Sequence, residues 1–239
     1  MKSLRLLPIA LLLLFSTSIF AQSSGAPREF ESTSQIYDHL RKLLNTKEKE
    51  PYKIDWDNVK GSPYLYENYK MAQFYIGDKS YGTIMMRLNT YSNEVELLPH
   101  DGQEMEALMK VDGSRVVFEG KTLELFTYKD EEGFEKKAYF LVLNDEKNVQ
   151  LLLRKKCKFS PNEKAPTRNQ ADRAAKFTQY DYYYIVKNGE PILVETKKKA
   201  VVKLFPEKES EIKKYIKSEK LKLKKEKDFA KLIDYVATL

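Results

Sequence analysis

Residues 64–98 read YLYENYKMAQFYIGDKSYGTIMMRLNTYSNEVELL, three short runs of aromatic and branched residues separated by Gly77-Asp78-Lys79-Ser80 and Thr90-Tyr91-Ser92-Asn93. Within Tyr81 to Leu88, Ile84, Met86 and Leu88 alternate with Thr83, Met85 and Arg87. A period of two belongs to a strand with one drier face. The separators are turn-forming residues, so the stretch predicts the start of an antiparallel sheet.

Downstream the same signal repeats over 115–118, 122–128, 137–143, 149–159 and 177–186. Lys187-Asn188-Gly189-Glu190 then carries the Asn-Gly pair of a tight hairpin into Ile192 to Val194. The reading is about eight or nine strands joined mostly by short links, which favours a meander over parallel strands with helical crossovers. A sheet of that size curls, closes into a barrel or splits into a sandwich. Glu104 to Val111 fits a helix through Met105, Leu108 and Met109, and a strand through Ala107, Met109 and Val111. The expected fold class is α+β: a mainly antiparallel, curled or barrel-like sheet with a short N-terminal helix and a C-terminal helical appendage.

Upstream, Lys2 and Arg5 precede the apolar run Leu6 to Phe15, and Ala21 precedes Gln22 at a plausible cut. This is the layout of a signal peptide over 1–21, and the run is too short for the ~20 residues of a spanning helix. Residues 22–58 read as a leader and short helix. Ser32 to Leu44 places Ile36, Leu40, Leu43 and Leu44 on one face, with His39 outside it. Trp56, the only tryptophan, lies between Asp55 and Asp57 and is a candidate ligand contact, although such a residue more often anchors a segment onto a domain body.

Charge divides the rest. Residues 196–239 hold 14 lysines against seven acids, whereas residues 22–195 hold 26 basic and 28 acidic residues. The shift separates an antiparallel β domain over 59–195 from a basic helical tail over 196–239. In that tail Val201, Val202, Leu204 and Phe205, then Ile212, Tyr215 and Ile216, then Phe229, Leu232, Ile233 and Val236 form three apolar rows. Each marks a short amphipathic helix that must pack to be stable.

VKGSPYL (59–65), YGTIMMRLNTYSNEVEL (81–97) and KKYIKSEKLKLKKEKDFAKLIDYV (213–236) together resemble an uncharacterised family of exported bacterial proteins. Its members share a signal peptide, a β-rich middle and a lysine-rich helical end. The resemblance implies export and layout, with no activity and no site residue to carry over.

Catalytic and metal signatures are absent from the sequence. His39 and His100 are the only histidines, and no HExxH, paired CxxC, GxSxG, GxGxxG or phosphate-binding loop occurs. Asp55, Asp57 and Asn58, or Asp130, Glu131 and Glu132, lack the regular spacing of a calcium loop. Cys157, the only cysteine, shares parity with Leu151, Leu153 and Phe159 and reads as packing. No metal and no cofactor is expected. The main binding candidate is Tyr180, Tyr182 and Tyr184, which alternation places on one strand face, either as a platform for a ligand or as cover for a half-buried sheet.

The expectation is an exported, periplasmic or secreted, non-catalytic envelope protein that binds a small ligand or an envelope protein. No transmembrane segment would remain after signal cleavage. Two alternatives stand beside it: a carboxylate-dependent hydrolase, and electrostatic attachment to an anionic envelope surface through the tail. Export, and a tail of lysines without arginine, argue against nucleic acid.

Overall fold

The computed structural model describes residues 40–46, 54, 58–98, 105–130, 132–144, 148–165, 167, 169 and 171–239. The expected signal peptide, His39, Trp56, His100 and most of the Ser32 to Leu44 segment lie outside the described residues.

Eleven strands form one antiparallel sheet: β1 (Leu44–Thr46), β2 (Lys70–Ile76), β3 (Lys79–Asn89), β4 (Glu94–Leu97), β5 (Glu106–Leu108), β6 (Ser114–Phe118), β7 (Lys121–Lys129), β8 (Glu135–Val142), β9 (Gln150–Ser160), β10 (Lys176–Lys187) and β11 (Glu190–Val194). Nine of them are the runs expected above. The two additions are short, β1 and β5, and they pair with each other. Leu44, expected to close a helix, opens β1 instead, after a single 3-10 turn over Arg41–Leu43. Within the Glu104 to Val111 segment, Glu106–Leu108 forms strand β5.

The strand order is β1-β5-β4-β3-β2-β6-β7-β8-β9-β10-β11, with β1 and β11 as edges, so the sheet is open rather than a closed barrel. Between β5 and β6 only residues 109–113 return the chain across β4, β3 and β2. In a flat sheet four strand spacings are ~19 Å, close to the full reach of such a link, so this half must curl. The other half curls as well, bringing β11 against β7.

Three apolar clusters follow from strand parity. The largest takes Phe74, Ile84, Met86, Leu88, Val95 and Leu97 from the first half and joins them to Tyr139, Leu141 and Leu153 from β8 and β9. The second lies inside the curl of β7 to β10, where Tyr128, Phe140 and Tyr184 meet edge to face at 5.1–5.7 Å between ring centroids. The third binds the C-terminal helices, α1 (Lys198–Leu204), α2 (Glu209–Ser218) and α3 (Glu226–Thr238), onto Leu151, Ile185 and Val194. The expected apolar rows are therefore spent on packing: Ile212, Phe229, Leu232 and Ile233 are wholly buried.

Strands β8 and β9 pair only at Leu141–Leu153 and Val142–Leu152, although both run much further. Two buried asparagines bracket this short ladder. At one end Leu151 N–H donates to Asn144 Oδ1, and Asn144 Nδ2 donates to the Val149 carbonyl. At the other, the β3–β4 turn enters the gap: Tyr139 N–H donates to Asn93 Oδ1 at 2.7 Å, and Asn93 Nδ2 donates to the Tyr139 carbonyl at 3.1 Å. Cys157 N–H donates to the Thr90 carbonyl at 3.0 Å on the far side. The turn thus takes the place of the missing neighbour of each strand.

Two substitutions test this construction. Asn93→Ala leaves both buried backbone groups of Tyr139 without partners and should cost about 2–4 kcal/mol in chemical denaturation; a loss below the lower bound would mean that water replaces the amide. Phe229→Ala empties a fully buried site against the Tyr183 ring and should cost about 3–5 kcal/mol. A near-neutral result would show that α3 does not hold the sheet.

Candidate ligand-binding face

Strands β9 and β10 stay in register from Gln150–Val186 to Ser160–Lys176. Their inner ends are flanked, β8 pairing with β9 as far as Leu153 and β11 covering β10 over Tyr183–Lys187. Residues 154–160 and 176–182 therefore extend as a two-stranded ribbon with two distinct faces.

One ribbon face is held down. Lys60 N–H donates to the Ala175 carbonyl and Phe177 N–H to the Lys60 carbonyl, fixing the 60–66 segment along β10. Gly61 follows at φ +77°, where an added Cβ would lie 2.6 Å from the Phe177 carbonyl oxygen, so only glycine fits. Gln179 Nε2 donates to the Ser62 carbonyl, and Thr90 Oγ1 donates to Gln179 Oε1. Phe177 packs against Tyr91 and Phe159, and Lys155 pairs with Asp181 at 2.7 Å. Cys157 is buried on this side, and burial pushes its thiol up, the opposite of an activated nucleophile.

The opposite face carries Arg154, Lys156 and Lys158 on β9 and Lys176, Tyr180, Tyr182 and Tyr184 on β10. Register sets Tyr182 opposite Arg154 and Tyr180 opposite Lys156. Lys158 Nζ lies 5.5 Å from the Tyr180 ring centroid, Lys156 Nζ 5.7 Å from that of Tyr182, and the Arg154 guanidinium 4.8 Å from that of Tyr128. These are cation–π distances. The three tyrosines share the face that alternation assigns, but not the same environment. Tyr184 is 1 % exposed and belongs to the core; Tyr182 is half-buried; Tyr180 is 42 % exposed. Trp56 is outside the described residues, so no geometry joins it to this row. The lysines were missed in sequence because the pairing of 154–158 with 178–182 is a matter of register. The signal available was the every-second spacing of Arg154, Lys156 and Lys158.

A cleft of about 360 Å³ opens at the seam between β7 and β11, walled by Tyr128, Lys129, Glu135, Glu190, Pro191 and Leu193. Its two glutamates are exposed, and neither sits in the apolar enclosure that a general acid for sugar hydrolysis requires. Among the described residues no group of three metal-ligating side chains occurs. Asp130 belongs to a turn: it accepts from Glu132 N–H and Phe134 N–H and pairs with Lys136, and the Lys136 ammonium leads these contacts in holding its carboxyl below the usual range.

One buried polar network is structural. Arg87 donates to Glu96 and to the Tyr64 hydroxyl, its guanidinium 3.6 Å from the Tyr64 ring centroid and 4.4 Å from that of Tyr69, while Asn89 donates to the other Glu96 oxygen. Glu96 is fully buried, so this network ties the Tyr64 segment to β3 and β4. Lys110 is lowered chiefly by burial, with Glu94 opposing and Arg154 reinforcing the shift.

No protein family, no curated protein and no solved structure matches this chain. The geometry defines the class: an open, curled antiparallel sheet with a C-terminal helical layer and one basic, tyrosine-bearing face on a projecting ribbon.

Burial, followed by the Glu96 charge, pushes the Tyr64 phenol up to about 12. An unfolded tyrosine ionises near ~10. The folded form therefore holds the proton longer, and its stabilisation is complete below pH ~10 and lost as pH rises toward the folded value. Tyr64→Phe should flatten the alkaline loss of stability over that window in pH-dependent denaturation. Tyr139, also pushed up to about 12 by burial, keeps part of the slope. An unchanged alkaline limb would remove Tyr64 as a contributor.

Proposed function

We propose that this is an exported, non-catalytic protein of the bacterial envelope, periplasmic or secreted, that binds a ligand or protein partner through the ribbon face at Tyr180 and Tyr182. The supporting observation is the contrast between the two ribbon faces. One is partly covered by the 60–66 segment and the β3–β4 turn, which bury Phe177 and Cys157; on the other, Tyr180 and Lys158 are exposed. Export rests on the n-region, apolar run and cleavage point of residues 1–21. Among the described residues no helix is long and apolar enough to cross a membrane.

A second reading is favoured by one observation: thirteen of the fourteen tail lysines are exposed, consistent with attachment to an anionic surface. Its test is neutralisation of those lysines rather than truncation after Val194, because removing the helices would uncover Leu151 and Ile185.

The binding reading is tested by native mass spectrometry on protein purified gently from its own cells. The expected result is a mass adduct or a co-purifying chain that is lost in Tyr180→Ala, with unfolding unchanged because that ring is exposed. Tyr184→Ala is not informative, since it hollows the core. Retention of the adduct in folded Tyr180→Ala and Tyr182→Ala proteins would place the site elsewhere.

A further inference from the structure

We infer that the seam between β7 and β11 receives an extended segment of a partner polypeptide, a strand in which apolar residues alternate with basic ones. This site is distinct from the ribbon face and uses none of its exposed residues. Each step from β7 through β8, β9 and β10 to β11 is antiparallel, so β7 and β11 run in the same direction. The curl brings these two strands together without pairing them. Five strands cannot close into an all-antiparallel ring, whereas a sixth, antiparallel to both edges, completes one.

Backbone direction prepares both edges. Strand β6 pairs with β7 only from Phe118–Lys121 to Arg115–Glu124. Farther along, Asp130 N–H donates toward β8, to the Phe134 carbonyl. Backbone groups alternate sides along a strand, so Phe126 and Tyr128 bond toward β8 while Thr127 and Lys129 turn theirs outward. On the other wall, the two-residue turn Asn188-Gly189 closes on the pair Lys187–Glu190. That aims the backbone of Glu190 and Ile192 at β10 and leaves the Leu193 N–H and carbonyl and the Pro191 carbonyl facing away. Thr127, Lys129, Pro191 and Leu193 all line the cleft of about 360 Å³. A peptide backbone offers donors and acceptors at this spacing, which is the chemistry of strand addition.

Side chains set the alternation. Leu193 lies opposite Tyr184 on the inner face of the curl, yet Tyr184 is 1 % exposed and Leu193 47 %. With Tyr128 and Pro191 it forms an apolar wall that an inward side chain of the added strand would cover. On the outer face Glu135 and Glu190 stand against Lys129, all three exposed, so outward positions of the added strand favour lysine or arginine. The chain's own residues 22–39 carry Glu29, Glu31 and Asp38 against Arg28, the wrong sign for this edge, which points to a separate polypeptide.

The test uses the full mature protein and a short acetylated peptide of alternating valine and lysine, with binding read by fluorescence anisotropy and amide exchange by NMR. Saturable binding is expected, with slowed exchange of the Thr127, Lys129 and Leu193 amides, which exchange readily before the peptide is added. Leu193→Pro removes an outward N–H without touching the ladder to β10 and should weaken binding about tenfold. Methylating the peptide's own backbone amides should do the same with the protein unaltered, so a misfolded variant leaves the test intact. A valine–glutamate peptide should bind about tenfold more weakly than the valine–lysine one. Absence of binding, binding indifferent to backbone methylation, or equal binding of the glutamate peptide overturns the inference. Protection of the three amides before any peptide is added also overturns it, because the seam is then already filled by the protein's own 22–39 segment or by a second copy.

Discussion

The carboxamide of Asn93 holds the two halves of this sheet together. Strands β8 and β9 share only two residue pairs, and beyond them the two backbones part, leaving Tyr139 on β8 and Cys157 on β9 to find partners elsewhere. Asn93 and Thr90 supply the missing backbone partners from a turn that belongs to the other half. An asparagine suits this role because its amide reproduces a peptide's donor and acceptor at once. Its φ of 54° lies in the left-handed region, which asparagine tolerates better than most residues. The same chemistry recurs at Asn144, so the short ladder is bounded at each end by a side chain acting as a strand.

That divergence is also what creates the ribbon. Had β8 followed β9 to its end, Arg154 to Lys158 would lie in the middle of a continuous sheet. Because the wedge turns β8 away, β9 and β10 extend with no further strand of the sheet beside them, only the Lys60 backbone along β10 and the Thr90 carbonyl against β9. The 60–66 segment then pairs with the β10 edge through backbone hydrogen bonds and the tight approach of Gly61 to Phe177, and meets one face through Gln179. A projecting strand pair is a hazard for association unless its edges are managed. Here the 60–66 backbone pairs along part of β10, and the exposed positions include the charged Lys158, Lys176 and Asp181.

The strands were legible because β-branched and aromatic alternation reports a half-buried pleat directly, as at Ile84, Met86 and Leu88. The tail helices were legible for the parallel reason, through the rows at Ile212, Tyr215 and Ile216 and at Phe229, Leu232, Ile233 and Val236. Strands β1 and β5 were not, since three residues are too few to show a period. Of the site, parity correctly grouped Tyr180, Tyr182 and Tyr184, but local sequence holds no record of depth. Tyr184 is core because Tyr128 and Phe140 arrive from strands more than forty residues away. The cations beside the outer tyrosines depend on pairing register, which is set by the whole sheet.

Depth along β9 and β10 follows from four coverings. At the inner end, one face meets the helices through Leu151 and Ile185, and the other lines the curl through Leu152 and Tyr184. At the outer end, the first face is held by the 60–66 segment and the β3–β4 turn. The two inner quarters of the strand pair are thus occupied by the chain itself, and the outer quarter of the first face is occupied in part, with Phe177 and Cys157 buried and Gln179 and Asp181 exposed. The fourth holds Lys156, Lys158, Tyr180 and Tyr182. The exposed helix lysines belong to the layer on the opposite side of the same strands, so the two basic regions of the protein face different ways and a single flat anionic surface cannot engage both at once.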